Sequence, residues 1–106
     1  MIKKRIKGTE TRPRLYIFKS NKHIYAQLID DINHIILASS STVGKDIKQS
    51  INSFANCKNA KIIGKNIAIK SKKQGINKII FDRGHNLYHG QIKALADAAR
   101  EEGINF

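Results

Sequence analysis

Apolar and polar residues alternate through the first half of the chain, and the apolar spacing becomes helical in the second half. Arg14-Leu-Tyr-Ile-Phe-Lys-Ser20 is rich in β-branched and aromatic residues, and the turn-forming Ser20-Asn21-Lys22 leads into His23-Ile-Tyr-Ala-Gln-Leu-Ile29. The two runs predict a β-hairpin. In the second run Ile24, Ala26 and Leu28 face one way and His23, Tyr25 and Gln27 the other, as in a sheet covered on one side, which leaves the polar side free for a ligand. Asp30-Asp31-Ile32-Asn33 supplies another turn, and His34 to Ser39 reads as the third strand of an antiparallel meander.

The period then changes. Ile47, Ile51 and Phe54 predict a short amphipathic helix, and a longer one runs from about Asn59 to Gln74 with Ala60, Ile63, Ile67 and Ser71 inward. Lys58, Lys61, Lys65 and Lys72 fall in a narrow sector opposite. Asn77 to Phe81 is short and apolar, which predicts a buried fourth strand running parallel to its neighbour. A polar loop, Asp82 to Gly90, leads into a helix from Gln91 to Glu102 whose core stripe is Ile92, Leu95, Ala96 and Ala99. Gly75-Ile76 and Gly103-Ile104 follow the two long helices in the pattern of a Schellman stop. The expected fold is a mixed α/β domain of order βββ-α-α-β-α, a three-stranded antiparallel meander extended by a parallel strand, with helices packed on the sheet.

Length allows one such core and not two, since the chain has 106 residues. Residues 1–13 carry Lys3, Lys4, Arg5, Lys7 and Arg12 with Glu10 as their only acid, and they are expected to form a flexible basic arm before a single domain over 14–106. Pro13 holds its own φ and biases Arg12 to extended geometry, so the first strand is expected just after it. Lys and Arg total 20 against 8 Asp and Glu, a formal charge of +12 that points to a polyanionic partner. No run of about 18 apolar residues exists, and the basic start lacks the apolar region of a secretory signal, so neither a membrane span nor export is expected. Cys57 is the single cysteine and has no internal disulfide partner, which fits a reducing compartment. Isoleucine occurs 19 times and valine once, a bias that reads as AT-rich codon usage, as in an organellar or AT-rich bacterial genome.

Two constellations carry candidate chemistry. The arm and first hairpin interleave Lys3, Lys4, Arg5, Lys7, Arg12, Arg14, Lys19 and Lys22 with Tyr16, Phe18, His23 and Tyr25. Cations neutralise phosphates and release counterions, and exposed rings stack on unpaired bases, so this mixture suits RNA. The second is Phe81 to Gly90, a loop before a helix N-terminus where unpaired N–H groups favour an anion and Arg83, Tyr88 and His89 add donors. The plain alternatives are solvated lysines, rings that fill the core, and a loop whose glycines serve only its backbone. His85 and His89 with Cys57 fall short of a zinc ligand set, and acids are too few and scattered for a metal-dependent nuclease. No metal, cofactor, small-molecule substrate or catalytic residue is assigned. A generic basic module for single-stranded RNA is the rival reading.

Arg12-Pro-Arg-Leu15, Ser20 to Gln27, Phe81-Asp-Arg-Gly84, Tyr88-His-Gly90 and Ala94 to Glu101 occur in an order and spacing that closely resemble ribosomal protein eighteen of the bacterial-type large subunit. The resemblance spans Lys7 to Phe106. It implies a mixed sheet with helices packed on it, binding to 5S rRNA, attachment of that RNA to 23S-type rRNA in the central protuberance, and large-subunit protein five as a neighbour. Carried over by matched position, Lys7, Arg12, Arg14, Lys19, Asn21, Lys22, His23 and Tyr25 would contact RNA, as would Arg83, Tyr88 and His89. The arm is shorter than is usual in the family, and His85, Asn86 and Gln91 depart from its pattern. A plastid-encoded protein is the preferred source, with a bacterial cytoplasm second.

Overall fold

A computed structural model describes residues 7–19, 23–42, 57–84 and 90–106. The meander forms as its alternation requires: β1 (Arg14–Lys19), β2 (Ile24–Asp30) and β3 (Ile35–Ser41) are antiparallel neighbours, and β4 (Ile80–Asp82) lies parallel to the other side of β1, giving the order β3-β2-β1-β4. The helices α1 (Cys57–Lys73) and α2 (Gln91–Glu101) complete the described elements. The expected helix around Ile47, Ile51 and Phe54 lies outside the described residues.

Every second residue of β1 and β2 points at the helices. Leu15, Ile17, Ile24, Ala26 and Leu28 are buried, and they meet Ala60, Ile63, Ile67 and Ala68 of α1 with Ile92, Leu95 and Ala99 of α2 in a single cluster. Ile62, which sits beside the outward lysines of α1, is half-buried against that cluster. The helices approach closely because Gly64 presents no side chain: a Cβ there would collide with the Leu95 carbonyl and come within 3.1 Å of the Ala98 methyl. Both helices stop as expected. Ile76 N–H donates to Ser71 O and Gly75 N–H to Lys72 O, and Ile104 N–H and Gly103 N–H do the same to Ala99 O and Arg100 O, with Gly75 at φ 77° and Gly103 at φ 99°. Among the described residues no helix is long and apolar enough to cross a membrane.

One expectation needs correction. The fourth strand is not a buried one: its three residues are all half-exposed and it forms the sheet's margin, with only Ile79 just before it fully buried. Residues after α2 complete it, since Asn105 N–H donates to Asn77 O, Ile79 N–H donates to Asn105 O, and Phe106 stacks on Phe81 with ring centres 5.2 Å apart. Residues 8 and 13 also make contact with the sheet and its turns. Gly8 is buried, its N–H donates to Asp31 Oδ2 at 2.6 Å, and Asp31 N–H donates back to Gly8 O. Pro13 is buried too, and its carbonyl accepts from Ile80 N–H.

Candidate nucleic-acid interface

The helices cover one face of the sheet and leave the other open. Residues opposite one another in a ladder share a face, so the register fixes the rows. One row runs Ile80, Arg14, Ile29, Ile36; the next Asp82, Tyr16, Gln27, Ser39; the last Phe18, Tyr25, Ser41. Three rings therefore meet. Tyr16 and Phe18 have centres 5.5 Å apart, and Phe18 and Tyr25 lie 4.7 Å apart with their planes at 4°. Each ring is half-buried, and among the described residues no helix covers the platform's outer surface. Rings are relieved of water on one side by each other while presenting π faces outward, the arrangement that lets a base stack.

Charge frames this platform. Lys19 is exposed at the end of β1, Lys7 and Arg12 are exposed around the end where β1 begins, and Arg83 is exposed just past β4. Arg12 is partly anchored, its Nε donating to Ile79 O at 3.3 Å. Gly84 follows Arg83 directly and folds over Tyr16, where its N–H closes a turn onto Asp82 Oδ1 at 2.9 Å. This brings the start of the second constellation beside the first. His23 flanks the far end, its Nδ1 2.8 Å from Thr42 Oγ1, which also accepts from Ile24 N–H.

Arg14 has protein partners within the sheet and its turn. Its Nε and Nη2 donate to the two oxygens of Asp31 at 3.0 and 3.1 Å, its Nη1 donates to Asp82 at 2.9 Å, and its guanidinium carbon lies 5.4 Å from the centre of the Tyr16 ring. These bonds raise the Arg14 pKa and hold the Asp31 carboxyl below the usual carboxylate range, the Arg14 hydrogen bond being the main cause for Asp31. Arg14 thus ties β1 to the β2–β3 turn and to β4 beneath the edge of the platform. Such bidentate geometry is what a guanidinium supplies and an ammonium does not.

Lys3, Lys4, Arg5, Asn21, Lys22, Tyr88 and His89 lie outside the described residues, as do His85 and Asn86. Helix α2 starts at Gly90 with φ 57° and no side-chain cap on its first N–H groups. Sequence reasoning named the rings of β1 but missed the polar partners that complete their rows, Gln27, Ser39 and Ser41. The alternation of β2 already marked Gln27 as outward; the serines become visible only once the register of β3 is known.

The family model for ribosomal L18 of archaea, bacteria, mitochondria and chloroplast matches residues 1–106. The large ribosomal subunit protein uL18 of Trichormus variabilis is 54% identical over 105 residues, covering 99% of this chain and 88% of the relative. The uL18c protein of Gracilaria tenuistipitata is 57% identical, covering 99% of this chain and all of the relative, and that of Pyropia yezoensis is 50% identical, covering 99% and 88%. These similarities run through cyanobacterial and plastid proteins alike, and the names are those of ribosomal constituents, not of enzymes. The chain belongs to the L18 family of large-subunit ribosomal proteins.

Proposed function

We propose that this chain, as a structural constituent of the large subunit, binds 5S rRNA through the open face of its sheet and helps attach it to 23S-type rRNA in the central protuberance, with large-subunit protein five as a neighbour. The ribosome is of plastid or bacterial-cytoplasmic type. The observation that carries the RNA reading is the continuous ring platform of Tyr16, Phe18 and Tyr25, open on the side away from the helices and framed by Lys7, Arg12, Lys19 and Arg83. Rings of this kind take unpaired bases, and the cations take the phosphates on either side. Asn21, Lys22, His23, Tyr88 and His89 extend the same contacts by the family's pattern, and Lys3, Lys4 and Arg5 of the arm extend them by their charge. Arg14 contacts RNA by the family's pattern and also serves the surface by holding Asp31 and Asp82 in place.

Equilibrium binding to 5S rRNA across a salt series, with tRNA as competitor, tests this. A preference for 5S rRNA that survives physiological salt, with a log–log slope of several phosphates, is expected. Tyr25→Ala should weaken binding by about tenfold with little change in salt slope, because stacking is worth roughly 1–3 kcal/mol per base and carries no charge. Arg83→Ala should reduce the slope by about one. Equal affinity for both RNAs, collapsing as salt rises, would instead identify a non-specific single-strand binder.

A further inference from the structure

We propose that the polar half of the open face, Gln27, Ser39 and Ser41, recognises ribose, so that the domain distinguishes RNA from DNA at the unpaired nucleotides it holds. This rests on the reading that the neighbouring rings stack on bases. Gln27 lies directly opposite Tyr16 on one side and Ser39 on the other, and Tyr25 lies between Phe18 and Ser41. Each row therefore passes from ring to amide or hydroxyl within the width of two strands. Adjacent strands are about 4.8 Å apart, so a base lying on Tyr25 or Tyr16 places its own sugar over the next strand.

The groups there match a sugar hydroxyl in kind. A 2′-OH donates and accepts, and serine hydroxyls and a carboxamide do both as well. Ser39 is exposed, Ser41 and Gln27 are half-exposed, and among the described residues none of these three side chains has a hydrogen-bond partner. They line a hollow of about 220 Å³ with Tyr25 and Lys70, and among the described residues no carboxylate lines it. Lys70 reaches the hollow from α1, where its Nζ donates to Ser39 O at 2.8 Å, and its charge favours the adjoining phosphate. Residues 23–42 contain no Lys or Arg, so β2 and β3 themselves bring hydrogen-bonding groups and no cation to the hollow.

The test uses the full chain and two forms of 5S rRNA, one native and one carrying 2′-deoxyribose at its unpaired positions only. The native chain is expected to bind the deoxy form about tenfold more weakly, as two lost hydrogen bonds imply. Ser39→Ala with Ser41→Ala should bring affinity for native RNA down toward the deoxy level, with Gln27 keeping the remainder, and leave affinity for the deoxy form unchanged, with unaltered melting. Tyr25→Ala should weaken both forms by the same factor. Equal binding of the two RNAs by the native chain, or a serine variant that keeps the full ratio, would overturn ribose recognition while leaving base stacking intact. If Tyr25→Ala changes neither affinity, the stacking reading fails and the inference falls with it.

Discussion

At the scale of single residues, the polar links beneath the platform do more than the surface cations to set its shape. Asp31 receives Arg14 on both oxygens and Gly8 N–H on one, which holds its pKa below the ordinary value. A carboxylate with a depressed folded pKa stabilises the fold above its unfolded pKa of about 3.9 and loses that contribution as pH falls through the folded value. Asp31→Asn is therefore expected to cost on the order of 1 kcal/mol at pH 7, and to melt with a flatter profile than the native chain below about pH 4. Urea titrations at pH 7, 4 and 3 measure both. Gly64 sets the helix spacing, and Gly64→Ala is expected to cost about 1–3 kcal/mol through overpacking against Leu95, despite the higher helix propensity of alanine. The same titration at pH 7 reads it.

At the scale of elements, the meander and both long helices were legible because each is written in local periodicity: Ile24, Ala26 and Leu28 at every second position, Ala60, Ile63 and Ile67 at helical spacing. What escaped was set by distant partners. The chain around β4 is arranged by Asn105 and Phe106, and Arg14 is claimed by Asp82, 68 residues away, which no window of sequence exposes. The row shared by Gln27 and Ser39 was hidden by an irregularity in the β2–β3 register between Leu28 and Ile29, which breaks any count made along β3 from the turn. The outer edge of β3 is guarded from α1 and the turn after it, where the Lys70 and Gln74 side chains donate to Ser39 O and Leu37 O. An edge left with free carbonyls pairs with other chains. Lys70→Ala with Gln74→Ala is thus expected to leave the melting temperature nearly unchanged and to raise aggregation, aided by the exposed Ile35 and Ile36. Light scattering against protein concentration decides it.

At the scale of the whole molecule, one apolar core joins the sheet to two helices while +12 of formal charge lies on the chain. Self-repulsion makes the free protein less stable than its packing alone would, and a polyanion that binds only the folded form restores the difference. The melting temperature is expected to rise with added 5S rRNA, by the equivalent of about 2.7 kcal/mol at one hundred times Kd, and to rise with salt in the absence of RNA. Differential scanning fluorimetry with and without RNA, at two ionic strengths, measures this. A melting temperature indifferent to both would mean that charge plays no part in its stability.

The position of β1 at the centre of these contacts sets a schedule for the molecule's birth. Its neighbour on one side, β2, is translated almost at once, but its neighbour on the other is β4, whose Asp82 comes off the ribosome only after the whole of α1. Until then Arg14 has Asp31 but lacks its second carboxylate, and one margin of the central strand stays bare. Domains generally fold as units during synthesis, and a bare strand margin invites pairing with other chains. The nascent protein therefore passes through an interval in which its sheet can recruit a stranger, and that interval shortens as translation quickens between Lys19 and Ile80.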